Sequence, residues 1–147
     1  MLNQDYKEML SLLLESKVDF ILVGAYALAA YGFPRATADI DIFVKPNPEN
    51  AAVIIKTLKK FGAPLENISQ NDFSKPGIIL QIGVAPRRID LITKIDGLTY
   101  DEASAGKETI EIEGLLIPVI SKQNLIINKL ATGRTKDKID ADNLKNS

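Results

Sequence analysis

Aspartates occupy alternate positions in one short apolar segment of this chain and interrupt a second one. Asp39 and Asp41 alternate with isoleucines in Asp39-Ile-Asp-Ile-Phe-Val44, and Asp90 lies inside Arg88-Ile-Asp-Leu-Ile-Thr93. Strands normally exclude aspartate. Because side chains alternate along a strand, the first two carboxylates would share a face about 6.6 Å apart along the chain, with the isoleucines facing a core. The sequence therefore predicts a sheet that carries a group of carboxylates.

The composition narrows the chemistry that these carboxylates could support. The 147 residues contain no cysteine and no histidine, while 46% are hydrophobic and 25% are charged. Disulfides, thiolate or imidazole metal sites, cysteine nucleophiles and serine–histidine–aspartate triads are therefore excluded. The length and the apolar fraction predict one globular domain over residues 1–147, with a sizeable core.

The net charge and the hydropathy of the chain indicate where the protein is located and which classes of partner it binds. The net charge of −1 and the pI near 5.5 predict no extended DNA-binding surface. The amino-terminal residues 1–8 lack the layout of a signal peptide, and no apolar run approaches the roughly 20 residues that cross a bilayer. We therefore expect a cytoplasmic protein with no membrane partner.

Hydrophobic periodicity and turn residues predict an α+β fold. Helices are expected over residues 4–16, 25–31, 48–61, 122–132 and 136–145. Strands are expected over residues 19–23, 39–45, 78–82, 87–93, 109–113 and 115–119, with the third and fourth forming one antiparallel pair and the last two a hairpin. Residues 63–76 are polar and ambiguous. The irregular order of these elements predicts a central mixed sheet with helices mainly on one face.

Three interpretations of the aspartates remain open. They are solvated charges on an exposed strand face, part of a calcium loop, or ligands of a magnesium pair that clamps the oxygens in phosphoryl chemistry. Ile40 and Ile42 stand where a calcium loop would need oxygen ligands. Asp90 lies between Ile89 and Leu91, which disfavours a solvated face. The magnesium interpretation is therefore preferred, and it requires the Asp90 strand to pair beside the first one.

The order of motifs adds a resemblance. An apolar strand ends at Gly24, Asp39-Ile-Asp41 follows, and Arg88-Ile-Asp-Leu91 comes later. A carboxyl-terminal pattern comprises Ser121, Leu125, Ile126, Lys129, Gly133-Arg-Thr-Lys-Asp137 and Asp140. Together these motifs resemble the nucleotidyltransferase superfamily with the polymerase-β-like fold. The segment from Gly24 to Thr37 looks like its minimal members, which include toxin-type enzymes of abortive-infection and toxin–antitoxin systems.

The resemblance implies a reaction and a set of roles. Members of the superfamily bind two Mg²⁺ ions, for which Mn²⁺ can substitute, and transfer a nucleoside monophosphate from an NTP to an acceptor. It implies that Asp39 and Asp41 hold both ions, and that Asp90 holds the ion beside the acceptor and accepts the acceptor's proton. The acceptor would be an RNA end, a protein or a small molecule. An antitoxin or another partner chain is a further expected partner.

The same resemblance implies contacts to the NTP. The implied residues are Gly24, Ala25, Arg35, Thr37, Lys129 and Lys136. A residue without Cβ, such as Gly24, lets the backbone approach a phosphate. Ala25 departs from the serine that often follows this glycine in the family, and it favours an alternative, an inactive nucleotide-binding or interaction module that keeps the fold.

Several charged residues also admit structural interpretations. Arg35 could be a solvated turn residue. The segment Lys136-Asp-Lys-Ile-Asp140 could be a helix surface with i,i+4 charge pairs. Arg134 is expected to pair with an aspartate near the site. Arg88 shares a strand face with Asp90 by alternation, and it could ease the carboxylate repulsion or meet substrate.

Overall fold

A computed structural model describes residues 2–34 and 39–147 of the chain. Within these residues, the strands in chain order are β1 (Phe20–Val23), β2 (Ile40–Val44), β3 (Ile79–Ile82), β4 (Ile89–Ile92), β5 (Glu108–Ile112) and β6 (Leu115–Val119). They form one sheet in the order β3-β4-β2-β1-β6-β5. The pairs β2–β4 and β1–β6 are parallel, and the other neighbours are antiparallel. The predicted α+β class with a central mixed sheet is thereby confirmed.

The pairing also confirms the expected short-range connections. Strands β3 and β4 form one antiparallel pair, and β5 and β6 form another. The magnesium interpretation required the Asp90 strand to pair directly beside the Asp41 strand, and the two strands do pair in this way. Several predicted boundaries differ from the observed ones by one or two residues. One of these differences concerns the carboxylates, since Asp39 precedes β2 and does not lie inside it. Its carboxylate accepts a hydrogen bond from the Arg88 backbone N–H at 3.3 Å, so its side chain meets β4.

Helices flank this sheet. In the described residues they are α1 (Gln4–Glu15), α2 (Gly24–Ala30), α3 (Pro48–Phe61), α4 (Tyr100–Ser104), α5 (Lys122–Ala131) and α6 (Thr135–Lys145), with a 3₁₀ helix at Gln70–Ser74. Side chains at their starts explain several boundaries. Asn3, Asn47 and Ser121 each accept a backbone N–H from the first turn of the following helix. Helix α3 ends at Phe61 as predicted, and Gly62 follows it in a left-handed conformation.

Two short helices were not predicted. Helix α4 and the 3₁₀ helix each contain five residues, too few to show a hydrophobic period. Each begins with a capping box, formed by Thr99 with Glu102 and by Ser69 with Asp72. That four-residue pattern was the available signal for both.

The core lies behind the aspartates, on the opposite side of β2. Ile40 and Ile42 are fully buried together with Tyr6 of α1 and Ile54 of α3. This alternation is the reason that Asp41 faces away from the core. In the part of the chain that the structure describes, no helix is long and apolar enough to cross a membrane.

Candidate active site

Asp41 and Asp90 lie side by side on neighbouring strands. They are register partners in the parallel pair β2–β4, and Asp90 is 7% exposed. Asp39 stands one residue before β2, and its side chain is 20% exposed. The three carboxylates that the sequence singled out are thus brought to the same edge of two adjacent strands.

Arg88 links two of these carboxylates. Its Nη2 lies 2.9 Å from Asp39 Oδ2, its Nε donates to Asp90 Oδ1 at 2.8 Å, and Nη2 also donates to Asp90 Oδ2 at 3.2 Å. This geometry agrees with the expectation that Arg88 shares the face of Asp90. A single guanidinium therefore compensates part of the charge of the carboxylate group.

The third carboxylate, Asp41, is strongly perturbed. Burial raises its pKa to about 7, and the charge of Asp90, a hydrogen bond with Asp90 and the charge of Asp39 act in the same direction. Arg88 opposes the shift. Asp41 therefore keeps its proton to higher pH than an ordinary aspartate, because burial and adjacent negative charges disfavour the charged form. A bound cation would act against this shift, because it favours the charged form of the carboxyl.

Gly24 is pressed against Asp41. It has a φ of +66°, and a Cβ built on it would collide with Asp41 Oδ2 and lie 3.2 Å from the Asp41 Cβ and Cγ. The sequence attributed this glycine to the approach of a phosphate. The structure adds two local requirements, a left-handed backbone and space for the carboxylate.

An open cavity of about 570 Å³ lies in front of this edge. Gly24, Ala25 and Asp41 line one side of it. Most of the polar side chains of the facing wall come from α5, α6 and the turn between them, namely Asn128, Lys129, Thr132, Arg134, Lys136 and Asp137, and Lys94 and Asp96 follow β4. The structure therefore joins the predicted residues Gly24, Ala25, Lys129 and Lys136 in one cavity with Asp41. Arg35 and Thr37 lie outside the described residues.

Lys129 is part of a buried charge cluster in that facing wall. Its Nζ lies 3.2 Å from Asp137 Oδ1 and 3.4 Å from Asp140 Oδ2, and its side chain is 12% exposed. Arg134 Nε contacts Asp137 Oδ2 at 2.7 Å, as expected from the sequence, and the Thr132 hydroxyl donates to the same oxygen at 2.6 Å. The ammonium of Lys129 is thus held in place by carboxylates of α6.

The interpretation of residues 136–140 as a solvated helix surface is wrong for two of its members. Asp137 and Asp140 are 3% and 4% exposed, whereas Lys136 and Lys138 are exposed. Burial works to raise the pKa of Asp137, but the hydrogen bond from Thr132 and the charge of Lys129 outweigh it and hold that pKa below its usual range. The spacing of three residues between the aspartates indicated a shared helix face, but the sequence did not show that α5 covers it.

Among the described residues, no three carboxylates converge closely enough to hold a metal ion as they stand. The donor set itself suits one, since Asp41 and Asp90 offer adjacent oxygens of the kind that Mg²⁺ prefers. Burial and the neighbouring carboxylates raise the pKa of Asp41 at the same place. Asp39 and Asp90 each form an ion pair with Arg88 in this structure.

Comparison with known proteins identifies the family of this chain. Residues 2–146 match the model of a family described as "Nucleotidyl transferase of unknown function (DUF2204)". The chain belongs to this family. No curated protein matches its sequence.

Solved structures similar to this family member have the same fold. The candidate nucleotidyltransferase TM1012 from Thermotoga maritima is 18% identical, with a TM-score of 0.65 over 99% of this chain and 96% of that one. The lincosamide antibiotic adenylyltransferase LnuA, solved with lincomycin bound, is 18% identical, with a TM-score of 0.61 over 99% and 97%. The antibiotic-resistance factor ANT(2'')-Ia is 15% identical, with a TM-score of 0.62 over 95% and 80%. These likenesses confirm the nucleotidyltransferase fold.

Proposed function

We propose that this protein is a magnesium-dependent nucleotidyltransferase that moves a nucleoside monophosphate from an NTP to an acceptor. One observation carries the proposal. Asp41 and Asp90 are adjacent in register, Asp41 lines a cavity that Lys129 and Lys136 also line, and burial together with the neighbouring carboxylates favours a cation beside Asp41. Membership of the family supports nucleotidyl transfer in general.

The carboxylates would hold the metal, with Mn²⁺ as a substitute for Mg²⁺. Asp39, Asp41 and Asp90 are the proposed ligands. When bound, the metal neutralises phosphate charge and lowers the pKa of the acceptor's nucleophile. Asp90 accepts the proton of that nucleophile once it is free of Arg88. The acceptor atom forms a bond to the α-phosphorus as the bond between the α-phosphorus and the bridging oxygen breaks, and pyrophosphate leaves.

The far wall of the cavity would bind the triphosphate. Lys136 is exposed and lines the cavity, so its ammonium is free to move towards a phosphate. Lys129 also lines the cavity, and Asp137 and Asp140 hold its ammonium in a fixed position. Gly24 and Ala25 would supply the backbone on the opposite side. Two walls from distant parts of the chain would thus enclose the donor.

The acceptor that we favour is a small molecule with a hydroxyl group. The similar structures include adenylyltransferases and resistance factors for antibiotics, among them one solved with lincomycin bound and one in complex with adenylyl-2"-tobramycin. The sequence also left open an RNA end or a protein, with a toxin–antitoxin or phage-defence setting. Each of these acceptors would present a nucleophile to Asp90, the register partner of Asp41, which lines the cavity.

The decisive experiment is transfer of label from each of the four α-labelled NTPs. The protein is incubated with Mg²⁺ or Mn²⁺ and with total RNA, a protein extract, or a panel of lincosamides and aminoglycosides. We expect label on one acceptor class, and Asp41→Asn should abolish it. Asp142→Asn is the matched control, because Asp142 lies exposed on α6 and outside the cavity lining.

Other outcomes would favour the alternative. Nucleotide binding without any transfer, across all four NTPs and all acceptors, would favour an inactive nucleotide-binding module. Label that persists in Asp41→Asn would contradict the assignment of the carboxylates. Label found only on RNA or on protein would retain the reaction and overturn the preferred acceptor.

A further inference from the structure

Arg88 contacts two of the carboxylates that are proposed to bind the metal. Its guanidinium makes charge-assisted contacts of 2.8–3.2 Å with one oxygen of Asp39 and both oxygens of Asp90. Bidentate pairs of this kind are among the strongest that a carboxylate forms. Two of the proposed metal ligands are therefore already engaged.

A divalent ion and this guanidinium compete for the same oxygens. Arginine offers only donors, so it cannot itself be a ligand, and its positive charge repels a cation placed between the carboxylates. Without either cation, Asp39, Asp41 and Asp90 would face one another as like charges. The site thus has two mutually exclusive ways to balance its charge.

The main chain of Arg88 is fixed, while its side chain has room to move. Its carbonyl accepts a hydrogen bond from the Tyr6 hydroxyl at 3.0 Å and another from the Ile40 N–H at 3.1 Å. Tyr6 is fully buried, so this anchor belongs to the core. The Arg88 side chain is 30% exposed, compared with 10% for Asp90. The guanidinium can therefore leave towards solvent without a change in the strand.

We propose that Arg88 is a built-in counter-ion that holds Asp39 and Asp90 in the metal-free protein and must be displaced by the divalent ion. It is a positioning residue for the metal ligands. This inference rests on the proposed function, because the competing ion is the one proposed there. Its consequence is a metal affinity lower than three adjacent carboxylates would otherwise give.

The test measures Mn²⁺ binding to the full chain without nucleotide, by electron paramagnetic resonance or calorimetry. We expect Arg88→Gln to bind Mn²⁺ about tenfold more tightly than the wild type, which corresponds to about 1.4 kcal/mol. Arg88→Lys should fall between the two, because an ammonium cannot make the bidentate contact. Arg87→Gln is the matched control, with the same charge change at an exposed neighbouring position, and it should bind as the wild type does.

Thermal unfolding provides a second readout. In chelator, Arg88→Gln should unfold at a lower temperature than Arg87→Gln, and saturating Mn²⁺ should close that gap. If Arg88→Gln does not fold, the affinity of Arg88→Lys relative to the wild type decides the question, and tighter binding is expected.

The outcomes separate the two proposals. Equal or weaker Mn²⁺ binding by the Arg88 variants, with clear binding by the wild type, would overturn the counter-ion role and leave the proposed function intact. Absence of Mn²⁺ binding in every variant, with and without NTP, would overturn both. Tighter binding that Asp41→Asn does not abolish in the same background would show that the ion binds elsewhere, and would also overturn this inference.

Discussion

Asp41 lies directly opposite Asp90 in the register of two parallel strands, and burial together with the charge of Asp90 raises the pKa of Asp41 to about 7. In the metal-free protein, the two carboxylates therefore repel each other when both are charged. The direction in which the stability of the metal-free protein changes with pH follows from this upward shift of the pKa.

We expect the metal-free protein to lose stability, relative to Asp41→Asn, as the pH rises from about 4 to about 7. The folded pKa of Asp41 lies above the unfolded value of about 3.9, so its proton is retained in the folded state over that window. The slope would be at most about 1.4 kcal/mol per pH unit. Urea unfolding in chelator at several pH values measures it, and Asp142→Asn should run parallel to the wild type. A constant difference between wild type and Asp41→Asn would contradict the prediction.

Gly24→Ala should cost about 2–3 kcal/mol of unfolding free energy and abolish transfer. The left-handed backbone disfavours a Cβ, and the new methyl group would also displace Asp41. Gly62→Ala separates the two causes, since Gly62 has a φ of +89° but no atom within 4 Å of a built Cβ. Urea unfolding should show the larger loss for Gly24→Ala. Equal losses would mean that the contact with Asp41 contributes nothing.

Lys129→Met should destabilise the protein by about 3–5 kcal/mol. It leaves Asp137 and Asp140 buried with less positive charge, and uncompensated buried charges are costly. Lys138→Met, on the exposed side of α6, should stay within about 0.5 kcal/mol of the wild type. Chemical unfolding at neutral pH compares them. A small effect of Lys129→Met would show that Arg134 and Thr132 suffice for Asp137.

Ala25→Ser should strengthen NTP binding about fivefold. Ala25 lines the cavity beside Gly24, and a hydroxyl there could donate one hydrogen bond to a phosphate, worth about 1 kcal/mol. Titration with a fluorescent NTP analogue measures the change. Ala105→Ser, at an exposed position outside the cavity lining, serves as the control. Unchanged affinity would place the triphosphate away from α2.

The sequence was most informative where the information is local. Alternation in β2 and β4 was enough to predict that Asp41 faces away from Ile40 and that Arg88 shares a face with Asp90. The hairpins followed from glycines between apolar runs. These features depend on neighbours a few residues apart, which a single sequence displays directly.

Features set by distant partners were not predictable in the same way. The register that places Asp41 opposite Asp90 depends on pairing between segments about fifty residues apart. The burial of Asp137 depends on the packing of α5 against α6, and from sequence α6 looked like a polar surface helix. The ion pair between Arg88 and Asp39 also required the three-dimensional arrangement. In each case the sequence did not show which distant strand, helix or side chain would be the neighbour in the folded protein.

The two walls of the cavity come from opposite halves of the chain, so the ribosome synthesises them at different times. The Asp41 strand emerges from the ribosome long before β4, and α5 and α6 follow later still. A nascent or prematurely released chain would carry Asp41 without its register partner Asp90 and without the cavity-lining residues of α5 and α6. Catalytic competence would then arise only when translation reaches α6, so fragments of this protein would be chemically silent.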